Sequence, residues 1–168
     1  MGQLFSISSS TFTSTSKRAA RLILGADFAH TSVSLFTKLK WLPISLLINL
    51  RKLVLLFNIV NKPSSSHCLK TKFNFLSSLR SSSVSTRASN TDLYVIKPRT
   101  NSGKRTFAFS AASLFNCLDS DLKHLLCHPD LSSSFTSNLS NFKSKILQLF
   151  LQFSSSVSHL EEPFCLEC

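Results

Sequence analysis

Glycine is nearly missing from this chain, at three residues in 168. That excludes Gly-rich phosphate loops and dinucleotide fingerprints, which need several glycines so that backbone can approach a phosphate closely. Acidic residues are also scarce: 8 Asp+Glu stand against 19 Lys+Arg, a formal net charge of +11. The eight (Asp27, Asp92, Asp119, Asp121, Asp130, Glu161, Glu162 and Glu167) are scattered, with no adjacent Asp pair. Two-metal phosphoryl transfer needs clustered carboxylates, so neither polymerase nor nuclease chemistry is expected. No Ser/His/Asp arrangement stands in their place. The chain is expected not to be an enzyme and to carry no cofactor.

The five cysteines, Cys68, Cys117, Cys127, Cys165 and Cys168, are odd in number and widely spaced. A secreted disulfide scaffold is shorter and evenly paired. Cys165 and Cys168 form a single C-x-x-C with no second pair, and His124, Cys127 and His128 match no zinc spacing. Free thiols and no metal are the expectation. Tryptophan and tyrosine occur once each, Trp41 and Tyr94, beside 15 Phe. Aromatic interleaving for single-strand stacking is therefore modest, and most of the Phe residues suit a core.

What the chain has in excess is serine, in runs at 6–10, 63–66, 80–85, 131–134 and 153–158. Serine bonds its own backbone in competition with helix, so these runs predict linkers and frayed ends. The apolar share, 43%, is near the globular average, so disorder is not forced. The cationic surplus favours a polyanion, either nucleic acid or an acidic membrane surface.

The longest apolar run, residues 42–60, has the length of a membrane span. Arg51 and Lys52 sit at its centre, and each costs ~2.5–3.5 kcal/mol there on insertion scales. As a helix packed on protein it behaves better, with Leu46, Leu50, Leu53, Val54, Phe57 and Val60 on one face. A small membrane-associated protein using this helix is the alternative reading. The start, MGQLFS, fits an N-myristoylation pattern, and residues 1–26 loosely fit a transit peptide. Neither fixes a location, and a nuclear or cytoplasmic one is equally compatible.

The expected fold class is mainly α with one β-hairpin: amphipathic helices joined by Ser-rich linkers, loosely packed or partly disordered. Residues 1–16 are expected to be unstructured, 17–62 helical, 63–92 a Ser-rich linker, 93–153 a hairpin plus helices, and 154–168 disordered. Within the second segment, Lys17–Leu24 suits a helix stopped by Gly25, Thr31 or Ser32 can cap a helix through Trp41, and Pro43 opens the long helix to Asn61. The hairpin pairs Leu93–Ile96 with Arg105–Phe109 across a turn at 100–103, with Gly103 supplying positive φ. Helices at Ala111–Leu118 and Leu139–Phe153 follow, the last with a stripe of Leu139, Phe142, Ile146, Leu149 and Phe153.

On pattern alone, Lys97, Arg99, Lys104 and Arg105 either keep a turn soluble or contact phosphate. A resemblance bears on that choice. KRAARLILGADF (17–28), SLFTKLKWLPI (34–44), the apolar-basic helix, LYVIKPRTNSGKRTFAFSAASLFNCL (93–118) and LSNFKSKILQLF (139–150) occur in this order. Together they resemble the C-terminal tail of the reverse-transcriptase polyprotein of non-LTR (LINE-type) retrotransposons, over residues 17–153. In that family a segment like RAARLILG leads to L-K-W-L-P, then P-R-T-x-x-G-x-R-x-F, then a Leu-Trp/Phe-Asn-x-Leu-Pro helix and a closing F-K-x-x-L helix. Phe115 stands where many members carry Trp, Asp119 where Pro usually follows Leu, and residues 130–138 read as a serine-rich insertion.

The resemblance implies a truncated, catalytically inactive piece of such a polyprotein, because the family's palm motif of the F/Y-x-D-D kind lies upstream of this tail. It also implies a place near template and primer. Arg18, Arg21, Lys38, Lys40, Lys97, Arg99, Lys104 and Arg105 are then the candidate nucleic-acid-binding residues. RNA or DNA is the expected partner, bound weakly and without sequence preference, and no small-molecule substrate is implied.

Overall fold

The computed structural model describes residues 4–79, 91–127 and 134–156. Among these residues the secondary structure is helical, in nine segments: α1 (Leu4–Leu24), α2 (Ser32–Leu39), α3 (Ile44–Asn61), α4 (His67–Lys70), α5 (Leu76–Leu79), α6 (Asn101–Lys104), α7 (Phe107–Asn116), α8 (Ser120–Cys127) and α9 (Phe135–Ser156). They fall into two units. The first holds the described residues up to Ile48 and from Leu147 onward, and the second those from Asn49 to Ile146.

In the first unit, α1 packs on α2 through Ala20, Leu35 and Phe36, with Ala26 and Leu39 half-buried against them. The expected unstructured stretch 1–16 is helical from Leu4. Ser and Thr are only middling helix residues, costing roughly 0.5 kcal/mol each against Ala, and here they extend the turns begun at Lys17–Leu24. The stop at Gly25 is as expected. Gly25 takes φ +58°, its N–H donates to Leu22 O at 3.5 Å, and Ala26 N–H reaches back to Arg21 O at 3.0 Å. This is the Schellman pairing. The same device ends α2 two residues before the expected Trp41, with Lys40 at φ 52° in the role that suits glycine. Lys40 N–H donates to Thr37 O and Trp41 N–H to Phe36 O.

The second unit is organised around phenylalanine. Leu50, Leu53, Leu56, Phe57 and Ile59 of α3 are buried. The expected stripe thus holds at Leu50, Leu53 and Phe57, but Leu46, Val54 and Val60 are only half-buried, and Leu56 and Ile59 take their places. The Phe57 ring lies 4.8 Å from that of Phe142 and 5.9 Å from that of Phe135, both on α9. Residues 63–92, expected to be a linker, contain α4, α5 and a buried Phe73 whose ring meets Phe107 edge-on at 5.7 Å. Cys165, Cys168 and the segment 157–168 lie outside the described residues.

The β-hairpin does not form. Leu93 is extended, but its only bridge among the described residues is to Phe75, antiparallel. The intended turn, 100–103, instead begins α6 at Asn101, and Arg105–Phe109 runs into α7 rather than forming a strand. Three things favour helix here. Thr100 caps α6, Ala108, Ala111 and Ala112 are strong helix formers, and Ala111, Ala112, Leu114 and Phe115 make a buried face at helical spacing. A two-residue alternation through Phe107, Phe109 and Ala111 misread the first turn of that helix.

Candidate nucleic-acid interface

The eight candidate cations divide between the units. Lys97, Arg99, Lys104 and Arg105 belong to the second and are all exposed. They surround a compact turn whose remaining residues serve the backbone. Thr100 accepts the Gly103 N–H at its side-chain oxygen, 3.1 Å away. Thr106 closes the turn by donating its hydroxyl and its N–H to Gly103 O, at 2.8 and 3.1 Å. Gly103 is required by close approach rather than by positive φ: a Cβ there would lie 2.6 Å from Pro98 Cβ. Pro98, Thr100, Gly103 and Thr106 therefore build the turn, while the cations between them face water. An exposed cluster of this kind can supply point charges and bidentate guanidinium contacts to phosphate oxygens.

The extended residues leading into this turn are anchored on both edges. Leu76 N–H donates to Asp92 O and Tyr94 N–H to Asn74 O, both at 2.8 Å. In antiparallel pairing this leaves the N–H and C=O of Leu93 facing the other way. The Asn116 side chain takes both: Leu93 N–H donates to Asn116 Oδ1 at 2.8 Å, and Asn116 Nδ2 donates to Leu93 O at 2.9 Å. Beside it, the Lys123 ammonium contacts the Asp92 carboxylate at 2.8 Å, with both side chains mostly buried. Lys123 thereby fixes α8 to this segment. Burial pushes the Cys127 thiol up to about 11, with the Asp92 carboxylate adding to the rise and the Lys123 ammonium partly offsetting it.

In the first unit, Arg18, Lys38 and Lys40 are exposed and Arg21 is half-buried. The Arg21 guanidinium lies 5.1 Å from the centroid of the Phe28 ring, a contact that sequence reading did not foresee because Phe28 follows the helix stop. Lys40 has a structural duty as well as a charge, since it occupies the left-handed C-terminal position of α2. Among the described residues no group of three or more His, Cys, Asp or Glu could hold a metal ion. Comparisons with protein-family models, curated proteins and solved structures return no match for this chain.

Proposed function

We propose that this chain is a non-catalytic relative of the C-terminal tail of non-LTR retrotransposon reverse transcriptases, and that it binds RNA or DNA weakly through phosphate contacts made by Lys97, Arg99, Lys104 and Arg105. The observation that carries this reading is the division of labour within residues 97–106. Pro98, Thr100, Gly103 and Thr106 are spent on backbone geometry, and four exposed cations are left over with no structural task. The overall charge of +11 supplies the long-range attraction. Arg18, Arg21, Lys38 and Lys40 form a second basic group that can add phosphate contacts of its own.

The same logic explains the other landmarks of the resemblance. Gly25 stops α1, Asn116 holds Leu93, and Leu114, Phe115 and Leu118 are buried. Each works as a folding residue, and none is placed for chemistry. Binding is sequence-independent in this reading, because contacts to phosphate carry no sequence information directly. Replacing Lys97, Arg99, Lys104 and Arg105 together by Gln in the full chain tests the reading. Affinity for an RNA–DNA duplex should fall at low salt with the far-UV spectrum unchanged; equal affinity would refute it.

A membrane-associated reading rests on α3, the one described helix long and apolar enough to cross a membrane. Its residues Leu50, Leu53, Leu56, Phe57 and Ile59 are already buried within the protein, and Arg51 is exposed midway along it. Those side chains would have to leave a formed core, so a span through α3 is the weaker alternative.

A further inference from the structure

The largest exposed apolar side chains of the first unit sit among its cations, and helix geometry explains why. Ala20 is the residue of α1 that meets Leu35 and Phe36. At about 100° per residue, Arg18 and Leu22 both fall about 200° away from it, on the side that faces out. Leu22 is accordingly 83% exposed; Ile23, only about 60° round the helix from Ala20, is nevertheless 59% exposed. Arg18 and Leu22 are four residues apart and so neighbours on the helix surface. Beyond the stop at Gly25, Phe28 returns against the Arg21 guanidinium at 5.1 Å while its ring stays 86% exposed. A guanidinium, an aromatic ring and two aliphatic side chains thus share the C-terminal end of α1. Trp41 is also exposed in this unit. Residues 17–41 hold five Lys or Arg against Asp27 alone.

We infer that this end of α1 docks on an anionic lipid surface, with Leu22, Ile23 and Phe28 entering the headgroup–acyl boundary and Arg18 and Arg21 at the phosphates. The choice of occupant rests on the mixture. Lysine is depleted from protein–protein interfaces, though arginine and phenylalanine are not, and residues 17–41 carry Lys17, Lys38 and Lys40 besides the two arginines. A nucleic acid would match the cations, but leucine and isoleucine have no π-face on which a base can stack. Interfacial segments that lie on membranes combine these residue types: Lys and Arg with Leu, Phe and Trp. The net positive charge complements an acidic leaflet. This surface involves neither the turn at 97–106 nor a spanning α3; it shares Arg18 and Arg21 with the second basic group, so the exposed apolar residues Leu22 and Phe28 are what distinguish it from the nucleic-acid reading.

Co-sedimentation of the full chain with phosphatidylcholine vesicles, with and without phosphatidylserine, tests it. Binding is expected to the phosphatidylserine vesicles and to weaken as salt rises. The double variant Leu22→Asn/Phe28→Asn should lose roughly tenfold or more in partitioning and keep its helical spectrum, since both side chains are solvent-facing. Arg18→Gln should weaken binding, while Lys104→Gln/Arg105→Gln should leave the double variant's deficit unchanged. Equal partitioning of wild type and double variant would overturn the inference. So would indifference to phosphatidylserine, or a loss of RNA affinity in the double variant with vesicle binding intact, which would assign the surface to nucleic acid.

Discussion

The side-chain amide of Asn116 occupies the place of a neighbouring strand against Leu93, accepting its N–H at 2.8 Å and donating to its C=O at 2.9 Å. Leu93 is buried, so neither backbone group has water as a substitute. Asn116→Leu keeps the volume but removes both partners, and each stranded group costs about 1–3 kcal/mol. A loss of about 2–4 kcal/mol is expected in urea unfolding. Asn116→Asp retains the acceptor but sets a carboxylate against the Leu93 carbonyl, so it too should destabilise. A loss below about 0.5 kcal/mol for Asn116→Leu, within the ordinary scatter of surface substitutions, would show that the pairing is dispensable.

Gly25 and Lys40 hold the same helix-ending conformation, so substitutions at the two should act in opposite directions. Gly25→Ala places a side chain at φ +58° and should destabilise by about 1 kcal/mol; Lys40→Gly relieves φ 52° and should stabilise by up to about 1 kcal/mol. Thermal melts of the two variants read the sign directly. A Lys40→Gly variant that melts lower than wild type contradicts the assignment.

The turn carrying the cations should be sensitive where it is built and insensitive where it is charged. Gly103→Ala pushes a methyl group against Pro98, a misfit of about 1–3 kcal/mol. Thr100→Ala removes the cap on Gly103 N–H and should cost about 1 kcal/mol. Arg99→Gln and Lys104→Gln should stay within about 0.5 kcal/mol of wild type, because both side chains are exposed. Chemical denaturation of the four variants separates the two classes.

Much of the first unit was legible in the sequence, because its signals are local. Gly25 after a basic-apolar run and Pro43 before another mark helix ends by backbone chemistry alone. Residues 93–109 were misread because short runs with alternating character fit a strand and a helix start equally. What decides between them is non-local: the burial of Ala111, Ala112, Leu114 and Phe115 and the Asn116 amide 23 residues from Leu93. Lys123 and Asp92 were invisible as a pair for the same reason, with 31 residues between them. The basic cluster itself was readable as composition. Its split into backbone-building and free residues needed the turn.

Cys127 should behave differently from Cys68 and Cys117, which are exposed. Its pKa is pushed up from 9.0 to about 11, first by burial and then by Asp92. At pH 8–9 it stays protonated, so iodoacetamide should modify Cys68 and Cys117 well before Cys127, with mass mapping of the sites as the readout. The linkage has a definite sign. The unfolded thiol ionises near 9 while the folded one holds its proton, so this group costs nothing below pH 9 and destabilises progressively as pH rises toward 11. Fast modification of Cys127 in the folded chain at pH 8 would contradict its placement.

The central claim is that four exposed cations on the 97–106 turn contact phosphate, and the salt dependence of binding measures it most directly. The affinity of the full chain for an RNA–DNA duplex would be titrated over a range of salt, alongside the Lys97→Gln/Arg99→Gln/Lys104→Gln/Arg105→Gln variant. At about 0.9 per duplex phosphate contact, the slope of log affinity against log salt should be shallower by roughly 3 to 4 in the variant, with the fold intact. Equal slopes for the two chains would mean that these cations do not touch the nucleic acid, and the proposed function would be wrong.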